Sequence, residues 1–264
     1  MISIFANNSA GNGKVINTLG SQIKLNLNPP IMLDDRKKYE LRVINANIVY
    51  CTPNVTSANN ILSYTFGGYT HNIIFDTGLY ALTDINIVVS LYTGIGNNGG
   101  DPNLIQFAAD ESTSKIYVFF SQANVIIHLG VANSIMPMLG FTGTEDMGGM
   151  IQAGWIKGNS PAQLNSLQNI LIQCDITTGS YSNATISNIV AVVVPNVGSY
   201  STIIYTPYFP IRCPVFVKKI DSITLTLYDQ NGTLLDLGSN EGTQTPELWS
   251  ILLTIEEVNF PTNH

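Results

Sequence analysis

The stretch LTLYDQNGTLLDL, residues 225–237, brings several oxygen-bearing side chains together. Asp229, Asn231 and Asp236 lie around Gly232 and could offer carboxylate and amide oxygens to a hard cation such as calcium. A calcium loop of the EF-hand type needs D-x-[DN]-x-[DN]-G and a distant Glu, whereas here Gly232 directly follows Asn231. An Asn-Gly pair between two alternating strands instead predicts a two-residue hairpin turn with positive φ at both residues. We therefore predict a hairpin and no metal site.

Two glycine-rich stretches match parts of nucleotide-binding motifs without their structural context. GIGNNG (94–99) fits G-x-G-x-x-G, but that motif needs a strand before it and a helix after it, so that a pyrophosphate meets the helix N-terminus. Here a predicted helix precedes the glycines and a strand follows them. GNGK (11–14) is too short for a phosphate loop. We expect a flexible loop at 94–99 and predict that the protein has no cofactor.

The histidines and the adjacent carboxylates do not form a recognisable catalytic set. His71 and His128 lie inside predicted strands with no carboxylate or cysteine nearby, and His264 is terminal, so a zinc site is hard to assemble. The sequence alone does not exclude a Ser-His-Asp triad, but it contains no G-x-S-x-G nucleophile elbow. Glu256 and Glu257, as neighbours in a strand, would point to opposite faces and would not share a proton. We predict that the protein is not an enzyme and has no catalytic residues.

Charge and cysteine content bear on further classes of function. The chain has 11 Lys and Arg against 18 Asp and Glu, a net charge of −7, so direct nucleic-acid binding is not expected. Cys51, Cys174 and Cys213 are widely spaced and odd in number, which predicts buried or incidental thiols in a reducing compartment. No apolar run approaches 18 residues, so membrane insertion is not expected. The first residues lack the features of a secretory signal, so we expect folding in a cytosol.

The surface is polar but weakly charged. Charged residues make up 11% of the chain, against roughly 25% in an ordinary soluble domain, and 28 residues are Asn. Two compatible interpretations follow. In the first, much of the surface is buried against other subunits, where desolvating a charge is costly. In the second, the coding bias of an AT-rich genome favours Asn and Ile.

The elements that must position these side chains are mostly strands. In QIKLNLN (22–28), Ile23 and Leu25 face one way and Lys24 and Asn26 the other, which is typical of a half-buried strand. Clusters of Gly, Pro, Asn and Ser separate about ten such segments, which predicts an all-β sandwich or barrel. The segments are 22–28, 39–50, 61–66, 71–76, 115–120, 124–130, 169–176, 187–194, 222–229 and 249–258.

One amphipathic helix is predicted over residues 82–94. Thr83 is the predicted N-cap, and Asp84 lies in the first turn, where the helix dipole favours a negative charge. Apolar residues at helical spacing form one face. These are Ile85, Val88, Val89 and Tyr92.

Three further segments have weaker signals. NSIMPMLGFTG (133–143) predicts a helix of one or two turns, with Asn133 or Ser134 as its cap. Residues 143–166 have no periodic pattern and are a candidate contact loop. Residues 1–14, rich in Asn and Gly, are predicted to form a mobile arm.

Several stretches occur in the same order in one family. CDITTGSY (174–181) ends a strand, a tract around Pro214 follows, and LYDQNGTLLD (227–236) precedes the last strand. Upstream, GLYALTDIN (78–86) begins the predicted helix. With these features, most of residues 70–257 resembles the penton (minor capsid) proteins of virophages and Polinton/Maverick elements.

The resemblance implies one jelly-roll β-sandwich over residues 1–264, with two antiparallel four-stranded sheets, one or two short helices and long loops. It implies a structural capsid protein that forms the homopentameric vertex capsomer, or penton, of an icosahedral virion. Its partners would be further copies of itself and trimers of a double jelly-roll major capsid protein. The protein would be made in the cytoplasm of an infected host cell and located at the virion vertices.

Two alternatives to a capsid role remain open. A jelly-roll module could bind a carbohydrate or a host receptor through exposed aromatic rings. The candidate rings are Tyr200, Tyr205, Tyr208 and Trp155. The other alternative is a cupin-type oxygenase, which would need two or three ligating histidines close in space. The chain has only two internal histidines, so the sequence does not favour this alternative.

Overall fold

The computed structural model describes residues 1–8, 14–149, 152–165, 167–178, 180–182, 185–198, 200–237 and 248–258. Within these ranges the fold is all-β, as predicted, with one α-helix, α1 (Leu82–Thr93), and one short 3-10 helix (Gly96–Asn98). The strands are β1 (Ile2–Asn7), β2 (Lys14–Val15), β3 (Gln22–Met32), β4 (Tyr39–Val49), β5 (Ile61–Phe66), β6 (Tyr69–Ile74), β7 (Ile105–Asp110), β8 (Lys115–Phe120), β9 (Ile126–Ile127), β10 (Met147–Gly148), β11 (Gly154–Lys157), β12 (Ile170–Cys174), β13 (Ser180–Ser182), β14 (Thr185–Ser187), β15 (Ile189–Val193), β16 (Thr202–Tyr205), β17 (Cys213–Pro214), β18 (Lys219–Asp229) and β19 (Trp249–Glu257).

The chain divides into two compact units. The terminal unit comprises Met1–Thr52 and Leu167–His264, and the central unit comprises Pro53–Ser166. The sequence-based prediction of a single domain over residues 1–264 stays a prediction.

The terminal unit contains two five-stranded antiparallel sheets, each with one buried face, and the separate two-stranded pair β13-β14. One sheet has the strand order β1-β19-β4-β16, with β17 also paired to β4, and the other has the order β15-β12-β18-β3-β2. Ile23 and Leu25 of β3 are buried while Lys24 and Asn26 are exposed, as the alternation predicts. These sheets contain five strands rather than the four expected, and the architecture is that of a jelly-roll-like β-sandwich.

Trp249 is a central core residue of the terminal unit. Its side chain is 2% exposed, and its indole N–H donates a hydrogen bond of 2.8 Å to the Gly20 carbonyl. Its backbone N–H donates to Asn8 Oδ1 at 2.7 Å, just beyond the end of β1. The polar groups around this large buried ring are therefore hydrogen-bonded, as burial requires.

The central unit contains a four-stranded sheet, β10-β9-β5-β6, a three-stranded sheet, β11-β8-β7, and α1. Ile85 and Val89 of α1 are buried in its core, and Val88 and Tyr92 pack against that core, which confirms the predicted apolar face. Asn86 pairs with the edge of β7, because its amide both donates to the Phe107 carbonyl and accepts from the Phe107 N–H, each at 2.8 Å. The helix thereby closes one strand edge.

The predicted N-cap of the helix lies two residues too late in the chain. The N-cap is Ala81 rather than Thr83, and its backbone N–H donates to the Asp84 carboxylate at 2.8 Å. Asp84 therefore closes the first turn from inside the helix, which replaces a capping hydroxyl.

The prediction of a short helix over residues 133–143 is wrong, because this segment forms successive turns. The Asn133 carbonyl, which would accept the first helical hydrogen bond, instead accepts from the Ile61 N–H at 2.8 Å. Pro137 has no N–H to donate in its place. The segment is held by β5 and by its own turn hydrogen bonds, such as that from the Met138 N–H to the Ile135 carbonyl at 3.1 Å.

The prediction of a mobile arm over residues 1–14 is wrong for residues 2–7. They form β1, which pairs with β19 from Ile2↔Ile255 to Asn7↔Ser250 and buries Ile4 and Ala6. The neighbouring Asn-rich residues obscured this short alternation. Residues 9–13 lie outside the described ranges, as do His264 and residues 238–247.

Candidate assembly surface

The most exposed aromatic residues of the described chain lie between β16 and β17. Tyr208 is 89% exposed and Phe209 is 85% exposed, and their rings meet edge to face with centroids 4.7 Å apart. Fully burying such a side chain contributes about 1.5–3 kcal/mol. Two adjacent exposed rings are therefore a strong candidate for a surface that another protein covers.

The β-sheet explains why these rings project outward. Both β16 and β17 pair antiparallel with β4, at Tyr205↔Ala46 and at Cys213↔Leu41. One edge strand is thus interrupted by residues 206–212, which we call the proline loop. Pro207 and Pro210 cannot donate to a ladder, so this segment leaves the sheet edge.

Both ends of the proline loop are anchored. The Asn45 amide donates to the Tyr205 carbonyl at 3.3 Å and to Thr206 Oγ1 at 3.0 Å. At the other end, Cys213 is buried and its thiol donates to the Ile189 carbonyl at 3.5 Å. The rings are therefore presented on a restrained segment, which lowers the entropic cost of binding.

The outward face of the adjoining sheet is mixed in character. Phe5 of β1 and Ile204 of β16 are exposed, at opposite edges of the sheet. Between them, the Asn47 amide donates to Asn45 Oδ1 at 3.0 Å and to Ser250 Oγ at 3.4 Å. Interfaces between subunits combine apolar contacts and satisfied polar groups in this way.

The charged residues of this face are paired with one another. Arg42 lies 3.0 Å from Glu256 Oε2 and 3.8 Å from Glu40 Oε2. Glu257 accepts from Lys37 Nζ at 2.8 Å instead. Glu256 and Glu257 therefore have different ion-pair partners, as expected of neighbours in a strand.

The remaining sequence-predicted rings are dispersed. Tyr200 is exposed and Tyr205 is half-buried next to the proline loop. Trp155 lies on β11 in the central unit, whereas the proline loop belongs to the terminal unit. Phe209 was not named from the sequence, although its position beside Pro210 in a segment without alternation was a usable signal.

The 225–237 stretch is a hairpin, as predicted, but not with the predicted turn. The Gly232 N–H donates to the Asp229 carbonyl at 3.1 Å, and the Asp229 N–H donates to the Thr233 carbonyl at 2.8 Å. Only Gly232, with φ +81°, has positive φ here, whereas Asn231 does not. The loop therefore has three residues, with glycine in the left-handed position of a bulge. Its Asp229 carboxylate accepts from backbone N–H groups, and no group of three His, Cys, Asp or Glu side chains placed to hold a metal occurs among the described residues.

The glycine-rich segment 94–99 follows α1 as a turn. Gly94 ends the helix, and the 3-10 helix comes next. The buried Tyr64 hydroxyl donates to the Asn98 carbonyl at 2.6 Å, which fastens this turn to the core. Burial raises the pKa of Tyr64, so the phenol stays a donor.

His128 differs from its sequence-based prediction. Its Nδ1 lies 3.0 Å from Asp146 Oδ1, and its Nε2 lies 2.8 Å from Thr65 Oγ1, which is itself 3.1 Å from Thr70 Oγ1. The expectation of no nearby carboxylate is wrong, because β9–β10 pairing brings residues 128 and 146 together. The result is a row of polar side chains across the four-stranded sheet. His71 instead stacks on the Tyr64 ring, with centroids 5.0 Å apart.

The fold is of a class found in viral capsids: an all-β, antiparallel, jelly-roll-like sandwich. No protein-family profile and no curated protein sequence matches the chain. A solved structure that matches is the crystal structure of the selenomethionine-labelled mavirus penton protein. The match covers 98% of this chain and 100% of that chain, with a TM-score of 0.51 and 12% identity. The chain therefore shares the fold of a penton protein, and the resemblance found in the sequence is confirmed at the level of the fold.

Proposed function

We propose that this chain is the penton subunit of an icosahedral virion, a structural protein that forms a homopentamer at each vertex. The shared fold with the mavirus penton protein carries this proposal, because the alignment spans nearly the whole of both chains. The exposed Tyr208–Phe209 pair supports it, since two adjacent aromatic rings favour burial in an interface.

A closed ring requires that two different surfaces of one copy meet, since each subunit contacts a neighbour on either side. The proline loop is the surface we assign to one side of this contact. Aromatic anchors held by prolines, next to satisfied polar groups, are typical of the residues that dominate interface energetics.

Further partners follow from the same role. The pentamer would contact trimers of a double jelly-roll major capsid protein and would carry out no catalysis. The chain's net charge of −7 disfavours direct contact with nucleic acid. The protein would be synthesised in the cytoplasm of the infected cell and end at the virion vertices. Within the described ranges, no helix has the length and apolar character needed to cross a membrane.

A second function, binding of a carbohydrate or receptor, is favoured by a separate surface. Trp155 is half-exposed in the central unit and contacts the rings of Tyr117 and Phe119. This group of rings is independent of the proline loop in sequence and in unit.

The test combines native mass spectrometry with co-expression of the major capsid protein. We expect particles that contain the chain, and a species of five times the 28.7 kDa chain mass on assembly. The double variant Tyr208→Ala, Phe209→Ala should lose incorporation while keeping its fold. Tyr69→Ala is the matched control, because Tyr69 is 73% exposed but lies in the β5–β6 hairpin.

Two results would count against the proposal. A chain that never enters particles, although it is folded, is not a penton. If particles incorporate the double variant to the same extent as the wild type, the proline loop is not part of the contact. The capsid role is unaffected by that result.

A further inference from the structure

Three aromatic rings form a cluster on the central unit. The Trp155 ring centroid lies 4.8 Å from that of Phe119 and 6.2 Å from that of Tyr117. Trp155 is 55% exposed, and the other two side chains are half-buried. We call these three residues the aromatic platform.

Strand register places the platform on the outward face of the sheet β11-β8-β7. Trp155 pairs with Phe119, and Tyr117 pairs with Lys157 on one side and Ala108 on the other. The alternate residues of β8, Val118 and Phe120, are buried in the core. The rings therefore face away from the core because side chains alternate along a strand.

Polar groups border the rings. Lys157 Nζ lies 2.6 Å from Asp110 Oδ2 and 5.1 Å from the centre of the Tyr117 ring. The hydrogen bond from Lys157 holds the pKa of Asp110 below its usual range, and hydrogen bonds from Ser112 and Thr113 lower it further. The carboxylate and the ammonium thus stay charged together and offset each other's charge.

The size of the platform fits a small ligand better than a protein. The platform occupies two neighbouring strands and two rows of residues, an area of about 5 Å by 7 Å between backbone positions, to which the breadth of the rings adds. A stable protein–protein interface buries about 800 Å² on each partner, which is many times larger. One or two pyranose rings match the area of the platform.

The charge of the central unit decides the type of ligand. The unit contains two lysines, Lys115 and Lys157, against seven acidic residues: Asp76, Asp84, Asp101, Asp110, Glu111, Glu145 and Asp146. The cation closest to the rings is already paired with Asp110. An anionic ligand would meet net repulsion, whereas a neutral polyol can hydrogen-bond with both members of the pair.

We propose that the aromatic platform binds neutral, pyranose-containing glycans. The C–H face of a sugar ring packs on the Trp155 and Phe119 rings, and hydroxyl groups reach Lys157 and Asp110 at the border. This inference rests on the second proposed function, carbohydrate or receptor binding, and deepens it by naming the ligand class; it does not depend on the capsid role or on the oligomeric state.

Tryptophan fluorescence offers a direct readout, because the chain has two tryptophans and Trp249 is only 2% exposed. The full chain is titrated with neutral oligosaccharides of glucose, mannose and N-acetylglucosamine, and a glycan array extends the panel to sialylated and sulfated sugars. We expect a blue shift of the Trp155 emission with at least one neutral sugar. In Trp155→Ala, array binding should fall about tenfold or more.

Matched variants separate the platform from the rest of the surface. Tyr117→Ala should weaken binding, and Tyr69→Ala, an exposed aromatic elsewhere in the central unit, should leave it unchanged. Circular dichroism confirms that each variant is folded. If no neutral glycan binds, if sialylated or sulfated glycans bind more tightly, or if Trp155→Ala binds like the wild type, the proposal is overturned. Each result is independent of whether the chain enters capsids.

Discussion

Asp229 and Thr233 are joined twice across the turn that ends β18. Asp229 Oδ1 accepts a hydrogen bond of 2.8 Å from the Thr233 N–H, and the Thr233 carbonyl accepts one of 2.8 Å from the Asp229 N–H. The same carboxylate oxygen also accepts from the Asn231 N–H at 2.8 Å. An oxygen committed to two backbone donors holds the turn closed, which is a structural role rather than metal ligation.

Replacing Asp229 tests this role. Asp229→Ala removes the acceptor of two backbone N–H groups, so we expect the free energy of unfolding to fall by about 1–2 kcal/mol. Asp229→Asn keeps one acceptor oxygen and should lose less. Urea unfolding gives the comparison, and neither calcium nor EDTA should change the melting temperature. A rise in melting temperature with calcium that disappears in Asp229→Ala would contradict the structural role.

The two tryptophans should respond very differently to the same substitution. Trp249→Phe leaves the Gly20 carbonyl without its indole donor and creates a cavity in the core, so we expect a loss of about 2–4 kcal/mol. Trp155→Phe changes a half-exposed ring and should cost less than about 0.5 kcal/mol. Denaturant unfolding followed by circular dichroism measures both. Equal losses would mean that burial does not set the contribution of these rings.

Features set by local pattern were predictable from the sequence. The alternation in β3 identifies Ile23 and Leu25 as buried, and the helical spacing identifies the core face of α1. The position of the hairpin after Asp229 also follows from Gly232. The length of the hairpin loop could not be predicted from Gly232. It depends on whether Asn231 has a positive φ, and that depends on how the flanking strands pair.

Features that depend on distant residues were missed. The 133–143 segment has a helical pattern, but Ile61 competes for the Asn133 carbonyl. His128 and Asp146 are 18 positions apart and meet only through the β9–β10 pairing. The hydrophobic pattern within a short segment contains no information on which distant segments pair with it.

The candidate surfaces were predictable only in part. Tyr208 and Trp155 stood out as aromatic residues in irregular segments, and both are exposed. Tyr117 and Phe119 were not named, because β8 carries apolar residues on both faces and alternation alone does not tell which face meets the core. Their half-buried state follows from the sheet that β8 joins.

Lys157 sets the titration of Asp110. Because its pKa is depressed, the carboxylate contributes stability that is present above the usual carboxyl range and is lost as the pH falls through the lowered pKa. Lys157→Met should therefore move the pKa of Asp110 upward toward about 3.9, the unperturbed value. A carbon-detected NMR titration of the Asp110 carboxyl measures the shift. Lys115→Met is the control, because Lys115 donates to the Asn159 carbonyl instead, and an equal upward shift in that variant would contradict the assignment.

The three cysteines should resist modification in the native protein. Cys51, Cys174 and Cys213 are buried thiols outside any disulfide bond, and burial raises the pKa of the Cys174 thiol to about 12 and that of Cys213 in the same direction. Because the thiolate is the reactive form, we expect iodoacetamide at pH 8 to label Cys174 at least about a hundredfold more slowly than a free cysteine. Mass spectrometry counts the labels over time. Addition of urea should release all three thiols together, and rapid labelling of Cys174 without denaturant would show that the sheet around β12 opens on its own.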